Sequence, residues 1–462
     1  MIPREAIGGA LAVLLTCAPT LRAQGLSVYT HSACALARAG TGVADPCADG
    51  SAVFYGPAGL AFGPSVASIG IMALATESEF TFDGPGPTFE TEQGTTWAPH
   101  LWLAVRPTRR LGAGIGLWAP YGLVTEWPLA FEGRFDGYDN ELRAIYIQPT
   151  LAYQVLAGRI ALGAGLVITR TTVDLRRRID LATTPIPGTE MPFAALGVPL
   201  GTDFADLLID IDAWAATFHL GLEVRASDRW SFGARYLHTA DLDLDGRAGF
   251  RQVATGLLLP PGNPLGLPAG TPLDPVLALQ FAPGGPLSNQ DVATELTLPN
   301  QFVIGTRFRA TPAFRILLDY QWTGWDHFDE AALDFARAPA DTLFLDFENT
   351  STVRLGADIT PNDRLALRTG ILYNDAATPD VTVTPLLPEG QRITLTGGLG
   401  YRFSSRFTAD AGLEVIFQEE RRGRVRPRES RRQTAADLNV GVYEGNALVI
   451  GLTLSYRFGP TR

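Results

Sequence analysis

Long apolar segments are missing from most of this sequence. Beyond the N-terminus, none of the 462 residues belongs to a run of about 18 apolar residues, the length that a membrane-spanning helix requires. The chain has 18% charged residues and a mean hydropathy of +0.09. It is therefore too polar for a bundle of spanning helices, and that class of membrane protein is excluded.

Lysine is absent and cysteine is scarce, so every basic residue other than histidine is an arginine. The net charge of −11 argues against a general nucleic-acid-binding protein. We expect no metal site and no cofactor, because only Cys34 and Cys47 remain after removal of the N-terminal leader described below. These two cysteines could close a loop in an oxidising periplasm. The histidines are scattered along the chain: His31, His100, His219, His238 and His327.

The N-terminus differs from the rest of the chain. Arg4 precedes an apolar run over residues 6–18, and Ala23 supplies a small residue at a cleavage position. This order of charge, apolar run and small residue predicts a secretory signal peptide over residues 1–23, with the mature chain beginning at Gln24.

From residue 65 to residue 458, apolar residues alternate with small or polar residues. In the last such stretch, residues 447–458, every second side chain is apolar. A period of two places successive side chains on opposite faces of a strand. When many strands carry the apolar set outward and the small or charged set inward, the surrounding solvent is lipid. The pattern is typical of an outer-membrane β-barrel.

About fourteen strands are predicted, an even number as in single-chain bacterial barrels. Short turns alternate with long connections, of which residues 176–211 and 244–299 are the longest. Short turns lie on the periplasmic side of such barrels, so both termini are predicted there. We expect an all-β, monomeric barrel over residues 65–458 in the outer membrane of a Gram-negative bacterium. The predicted strands cover residues 65–76, 96–106, 111–123, 141–155, 159–175, 212–225, 230–243, 300–310, 313–325, 350–360, 363–374, 391–403, 406–419 and 446–458.

Charged side chains fall in the inward set of several late strands. A charge on the lipid face would cost about 2–4 kcal/mol near the midplane, so these charges are expected in the lumen. Two interpretations remain open: a site for an anionic head group, or a paired network that braces a plugged barrel. The predicted ligand-binding arginines are Arg307, Arg354 and Arg368, and the inward acids include Asp319, Asp358, Asp410 and Glu414.

Residues 24–64 precede the first strand and are predicted to fold as a plug, because a barrel of this size has a lumen wide enough to need blocking. Their small-residue stretch over residues 31–42 and the Gly-Pro-Ala-Gly-Leu-Ala run from Gly56 to Ala61 resemble the N-terminal hatch of the FadL-type outer-membrane transporters of hydrophobic compounds. Gly56 stands where that family usually carries Asn. Further segments resemble family landmarks in family order: residues 118–127, 133–135, 318–322 and 374–388.

The resemblance implies two sets of site residues. The first is a hatch gate, and the second is a lateral opening towards the membrane at a kink in the third strand. Proline cannot donate a ladder hydrogen bond, so from the residues alone the third strand either ends near Trp118 or kinks inward at Pro120. The predicted gate is Gly56, Pro57, Ala58 and Gly59, and the predicted opening is Pro120, Tyr121 and Gly122.

The two longest connections are unusually apolar. Exposed apolar patches usually mark an interaction surface, so these connections are predicted either to capture a hydrophobic ligand or to pack on each other as a lid. The ligand-contacting candidates in them are Phe193, Leu257, Leu258 and Phe281. The arginine-rich run over residues 421–432 is either a solvated loop or a contact to lipopolysaccharide phosphates.

The resemblance implies passive uptake of hydrophobic compounds, with capture in the loops, hatch movement and lateral exit. Long-chain fatty acids and aromatic or alkane hydrocarbons both remain open as substrates. The alternatives are a non-specific diffusive porin and, in another class, an outer-membrane lipid hydrolase that would need a Ser/His dyad. His219 and His238 lie on neighbouring predicted strands without an organised triad, so we expect no enzyme.

Overall fold

The structure is a computed structural model that describes residues 30–83, 86–380, 382–423 and 441–459. The predicted signal peptide over residues 1–23, the first residues of the predicted hatch, and most of the basic run over residues 421–432 lie outside the described residues. Within them, no helix has both the length and the apolar character needed to cross a membrane.

One antiparallel sheet closes on itself and forms the wall of a barrel, because the first strand pairs with the last along its whole length. The twenty strands are β1 Val66–Phe82, β2 Thr88–Glu90, β3 Thr96–Val105, β4 Leu111–Glu126, β5 Asp139–Leu156, β6 Ile160–Asp180, β7 Asp203–Arg225, β8 Trp230–Leu237, β9 Ala240–Gln252, β10 Gln290–Leu298, β11 Asn300–Thr311, β12 Phe314–Gly324, β13 Glu330–Phe335, β14 Asp341–Phe344, β15 Thr350–Ile359, β16 Leu365–Asn374, β17 Arg392–Arg402, β18 Phe407–Gln418, β19 Arg421–Gly423 and β20 Gly441–Arg457.

Fourteen wall positions follow from this order. Four short strands (β2, β13, β14 and β19) lie in external connections, and two wall positions are interrupted strands, β8 with β9 and β10 with β11. The predicted antiparallel barrel of about fourteen strands is confirmed. The alternation also holds: on β20, Ile450, Leu452 and Leu454 are exposed to the outside, whereas Val449 and Thr453 are buried inside.

Several wall strands are longer than the sequence predicts. The connection predicted over residues 176–211 spans only residues 181–202, and the one predicted over 244–299 spans residues 253–289. Phe204 and Ile211, predicted in a loop, therefore lie on β7. The strand segments beyond the predicted ends carry polar or charged residues on their outer face, such as Asp210 and Asp212, because these segments rise above the lipid. In these segments the outward-facing residues are no longer apolar, although the ladder of backbone hydrogen bonds continues.

Among the described residues, helices are few and short, and they lie in the plug region before β1 and in the external connections. Ser32 caps the first of them, since the amide of Ala35 donates to Ser32 Oγ at 3.5 Å. The α-helices are α1 Ala33–Leu36, α2 Ala52–Tyr55 and α3 Asp274–Leu277; the 3₁₀ helices are Pro57–Ala61, Glu132–Phe135, Phe193–Leu196 and Ala278–Phe281.

Residues 30–64, here called the plug segment, lie inside the barrel against glycines of the wall. A Cβ added to Gly163 would come within 2.5 Å of the Ala58 amide nitrogen, and one added to Gly412 would come within 2.7 Å of the Ala33 carbonyl oxygen. A side chain at these inward positions would collide with the plug backbone. Missing side chains on the wall thus make room for a close-packed plug.

Polar contacts fix the plug segment to the opposite wall. Asp319 accepts hydrogen bonds from the amides of Gly42 and Val43 at 2.8 and 3.1 Å. The guanidinium of Arg38 lies 3.2 Å from the Asp358 carboxylate. Cys34 and Cys47 form a disulfide within the plug segment. The plug segment is therefore held by buried charge and hydrogen bonds as well as by packing.

Close contact between the plug segment and the wall predicts different effects on stability for two glycine substitutions. Gly163→Val should destabilise the barrel by about 1–3 kcal/mol through overpacking. Gly397→Val is the matched control, because Gly397 faces the lipid and its nearest contact is 3.9 Å away. The measurement is the temperature at which the barrel loses its heat-modifiable electrophoretic mobility. Equal midpoints for the two variants would contradict the packing of the plug against β6.

Candidate functional site

The third wall strand, β4, leaves its neighbour part-way up the barrel. It pairs with β3 only from Val105↔Ala113 to Leu101↔Leu117. Its ladder with β5 shifts register between Trp118 and Tyr121, at the position of Pro120, which has no amide hydrogen to donate. Above this point, no ladder joins β3 to β4 within the described residues. The wall therefore contains a gap between these two strands.

Tyr121 holds the displaced part of β4 against the far side of the lumen. Its side chain is fully buried, and its hydroxyl donates to the Pro299 carbonyl oxygen at 3.1 Å. The same hydroxyl accepts from Gln301 Nε2 at 3.0 Å. Pro299 separates β10 from β11, so its carbonyl oxygen is free of the regular ladder there. The inward course of β4 is thus fixed by specific hydrogen bonds.

A cavity of about 430 Å³ extends from this gap into the lumen. On the outer side it is lined by residues of β3, β4 and β5 that face the lipid, among them Trp97, which is 62% exposed. On the inner side it is lined by buried residues such as Leu372. Because lipid-facing and lumen-facing residues line one cavity, the cavity crosses the barrel wall.

The inner surface of the cavity follows rows of paired residues on β16, β17 and β18. One row is apolar except for a hydroxyl: Leu372, Thr394 and Ile416. The next row towards the outside is polar: Asn374, Arg392 and Gln418. Arg392 Nε donates to Gln418 Oε1 at 3.0 Å, and no carboxylate of the described residues lies within 4.0 Å of its guanidinium. Arg392 is thus the lumenal cation of the cavity.

Glu414 lies on the same inner surface and is almost fully buried. Its carboxylate is hydrogen-bonded to the side chain of Thr30, the first described residue of the plug segment. Thr30 also lines the cavity. The cavity and the start of the plug segment therefore share one buried hydrogen bond.

Aromatic rings connect the kinked strand with the plug segment below the cavity. Trp118, the last residue of β4 before the kink, lies 5.1 Å from the Trp102 ring and 5.5 Å from the Phe54 ring between centroids. Trp102 Nε1 donates to the carbonyl oxygen of His31 at 3.1 Å. Movement of the plug segment and of β4 would disturb the same ring cluster.

The external connection over residues 375–391 forms part of the rim of the cavity through Leu387 and Pro388. Glu389 next to them is buried, and burial raises the pKa of this carboxyl above its ordinary value. Its Oε2 accepts a hydrogen bond from Thr378 Oγ1 at 3.0 Å. Arg421 donates to the Glu389 carbonyl oxygen at 3.1 Å. These contacts fix the rim from the side opposite the gap.

The predicted gate lies away from the cavity. Gly56, Pro57, Ala58 and Gly59 pack near the periplasmic ends of β4 to β7, where a Cβ on Gly221 would come within 2.9 Å of Pro57. None of the four lines the cavity. A Cβ at Gly56 would lie 3.0 Å from the Val43 carbonyl oxygen, a tight contact at the position where the resembling family usually carries Asn.

The three predicted ligand-binding arginines also lie away from the cavity. Arg307 is 3.8 Å from Asp45 of the plug segment, and Arg368 is 2.6 Å from Asp410. Arg354 donates to Gln321 Oε1 at 2.9 Å. The structure thus brings all three into contacts with protein groups, as in the interpretation of a network that braces a plugged barrel.

Three of the four predicted loop residues belong to one external apolar cluster that joins the two long connections. Phe193 is fully buried in it, and Leu257 and Phe281 are partly buried against it. Leu258 is 62% exposed. The connections therefore pack on each other as a lid, and Leu258 is the one of the four candidates that is largely open to solvent.

The two histidines considered for a hydrolase dyad point to opposite faces of the sheet. His219 is buried in the lumen, with its Nδ1 3.2 Å from Gln148 Oε1. His238 is exposed on the outside and stacks on Phe218. The fold does not bring them together.

The sequence predicts an opening at Pro120, Tyr121 and Gly122; the structure places the register shift of β4 at Pro120, and Tyr121 and Gly122 line the cavity. Sequence reasoning missed Arg392 and Trp97. The signal for Arg392 was available, because it occupies the inward phase of its strand beside Thr394. The sequence does not give the register of the paired strands, and that register decides whether an inward arginine faces the cavity or an acid.

Comparisons with known proteins indicate one protein family. Residues 14–458 match the family described as outer membrane protein transport protein (OMPP1/FadL/TodX). A long-chain fatty acid transport protein of Shigella flexneri is 24% identical over 382 residues, covering 79% of this chain and 78% of that protein.

Two solved structures are similar in fold. The first is a FadL homologue of Pseudomonas aeruginosa, with a TM-score of 0.77, 20% identity, and coverage of 94% of this chain and 100% of that one. The second is the toluene transporter TbuX of Ralstonia pickettii, with a TM-score of 0.65, 19% identity and the same coverage.

The contacts of Tyr121 predict that its hydroxyl stabilises the kinked strand. Tyr121→Phe should lower the free energy of unfolding by about 1–3 kcal/mol, because it removes the acceptor of the buried Gln301 Nε2 and the donor to the Pro299 carbonyl oxygen. Tyr320→Phe is the matched control; its hydroxyl contacts Ser351 on the exposed outer face, and a change within about 0.5 kcal/mol is expected. Denaturant unfolding in detergent measures both. A Tyr121 variant as stable as the control would contradict the role of this hydroxyl.

Proposed function

Because the chain belongs to the family of outer membrane protein transport proteins (OMPP1/FadL/TodX), which are outer-membrane transporters of hydrophobic compounds, we propose that it takes up such compounds passively and releases them sideways through the gap beside β4. The substrates in this proposal are long-chain fatty acids or related hydrocarbons. The external lid captures the compound, the cavity receives it, and the plug segment shifts to let it leave.

The observation that carries the proposal is the cavity that crosses the wall between β3 and β4. Its outer end is lined by Trp97, Leu117 and Ile145, whose side chains face the lipid. Transfer of a hydrocarbon tail from an apolar cavity to water would cost about 0.8 kcal/mol per CH₂. A sideways exit into lipid avoids that cost.

Two contacts support a coupled movement of the plug segment. Thr30 shares a hydrogen bond with Glu414 on the surface of the cavity, so a ligand that displaces one group disturbs the other. Phe54 of the plug segment packs on Trp118 at the base of the kink. In this proposal Gly56, Pro57, Ala58 and Gly59 act as the fixed end of the hatch, because they are packed against wall glycines.

The polar groups of the cavity suit an amphiphile with a charged head. Arg392 offers its guanidinium at the outer row, above the apolar row formed by Leu372, Thr394 and Ile416. A fatty acid would place its carboxylate at Arg392 and its chain along the apolar row towards the gap. We therefore propose Arg392, in place of Arg307, Arg354 or Arg368, as the group that holds a carboxylate.

Blocking the cavity should stop uptake without unfolding the barrel. Gly122 lines the cavity, and an added Cβ would meet only the Leu142 carbonyl oxygen at 3.7 Å. Gly122→Trp should therefore fold and lower uptake of a radiolabelled fatty acid or toluene by at least about tenfold, because the indole occupies the space that the ligand needs. Gly397→Trp on the lipid face is the control and should transport normally.

Normal uptake by the Gly122 variant would disprove the lateral route. The rival porin function makes a different prediction, since an open pore conducts ions. The purified protein should show negligible conductance in planar bilayers, and a large, steady conductance would overturn the transporter proposal in favour of a diffusive pore.

Arg392 should separate charged from neutral substrates. Arg392→Gln should weaken fatty-acid binding by about 1.5–3 kcal/mol, tenfold or more in Kd, through loss of a charge-assisted hydrogen bond. Uptake of a neutral aromatic hydrocarbon should be unchanged. Arg247→Gln, on the external face, is the control. Equal effects on both substrates would show that Arg392 does not hold a carboxylate. Mass spectrometry of co-purifying ligands tests the substrate class directly.

A further inference from the structure

The short connections at the periplasmic end of the barrel are rich in arginine. Six such connections join the wall strands: residues 106–110, 157–159, 226–229, 312–313, 360–364 and 403–406. Together they contain seven arginines and two aspartates, in a chain whose net charge is −11. Arg106 is half-buried and donates to the carbonyl oxygens of Phe62 and Arg109. The other six are exposed and are here called the periplasmic arginine ring: Arg109, Arg110, Arg159, Arg229, Arg364 and Arg406.

These arginines differ from those on the external face in their partners. Among the described residues, no carboxylate lies within 4.0 Å of any guanidinium of the ring. By contrast, the outward-facing arginines on the external halves of the described wall strands are paired with acids, as Arg170 is with Asp212 at 3.4 Å and Arg247 with Asp291 at 4.0 Å. On the described wall strands, positive charge is therefore paired with acids near the external end, whereas it is left open at the short connections of the periplasmic end.

Aromatic side chains place the ring at the level of the lipid head groups. Trp230, Phe403 and Phe407 are exposed on the outer face directly beside the short connections. Aromatic girdles mark the two membrane–water interfaces of a barrel. Arg406 Nη1 lies 3.4 Å from the hydroxyl of Tyr456, on the same outer face. The guanidinium groups thus lie where the phosphates of the periplasmic leaflet begin.

We propose that the periplasmic arginine ring binds the phosphate head groups of anionic phospholipids in the periplasmic leaflet of the outer membrane. A planar guanidinium matches phosphate with two parallel hydrogen bonds, and basic groups near an anionic lipid surface are attracted to it. The ring anchors the barrel at a set depth and provides a boundary of selected lipid. This function is independent of which compound the cavity carries.

The distribution of the arginines favours a lipid surface over an acidic protein partner. Five of the six connections contain an arginine, and the sixth follows Arg309 at the end of β11. The charge therefore surrounds the barrel. A protein partner would contact one side of the mouth, whereas an annulus of lipid contacts all sides.

The test is native mass spectrometry of the full mature protein in detergent, titrated with phosphatidylglycerol or phosphatidylcholine. The unaltered protein should retain several phosphatidylglycerol molecules and few phosphatidylcholine molecules. Glutamine substitution of four ring arginines should reduce retained phosphatidylglycerol by at least about fivefold, in keeping with the loss of several surface charges. The ring variant replaces Arg109, Arg110, Arg159 and Arg229; the control variant replaces Arg143, Arg170, Arg247 and Arg251.

The control variant removes the same number of charges from the external face and should retain phosphatidylglycerol as the unaltered protein does. Heat-modifiable mobility confirms that both variants are folded, and an Arg159→Gln/Arg229→Gln double variant replaces the fourfold one if it fails to fold. Equal retention of the two lipids, or equal loss in ring and control variants, would overturn the proposal. Displacement of phosphatidylglycerol by millimolar inorganic phosphate would also overturn it, in favour of a free-anion site.

Discussion

The lipid environment requires that the wall satisfy its own backbone hydrogen bonds, and the rest of this structure depends on that requirement. A barrel satisfies it by closing the ladder, as β1 and β20 do here over seventeen residues each. An open stretch of ladder at membrane depth is tolerated only where protein or a cavity covers it. The gap between β3 and β4 is such a stretch. It exists because Pro120 cannot donate and because Tyr121 holds the displaced strand inward.

The lumen meets a related constraint with charges. Buried ions are costly unless they are paired and hydrogen-bonded, and most inward arginines and acids of the periplasmic half are paired with each other or with the plug segment. Asp358 is shared by Arg38, Arg315 and Arg368 at 2.7 to 3.6 Å. Such a network tolerates little displacement of any one member. It therefore separates a braced periplasmic half of the lumen from the less constrained cavity above.

Much of the fold could be predicted from the sequence, because the period of two and the alternation of short and long connections report directly on a barrel in lipid. The kink could be predicted too, since proline in a wall strand has a local consequence. Loop boundaries could not, because strands that rise above the lipid lose their apolar outer face. The role of the arginines also could not: Arg368 and Arg392 have the same inward phase, and only strand register shows that one faces Asp410 and the other faces a cavity.

The Cys34–Cys47 disulfide changes what kind of movement the plug segment can make. It joins two ends of a stretch that contains Arg38, Gly42 and Val43, which are bound to Asp358 and Asp319 on the wall. Without the disulfide, a chain pulled from its N-terminus could leave its wall contacts one residue at a time. The covalent loop cannot be extended in that way, so force applied at the N-terminus reaches all of its wall contacts together. Only the residues before Cys34 can peel away singly, and Thr30 is among them.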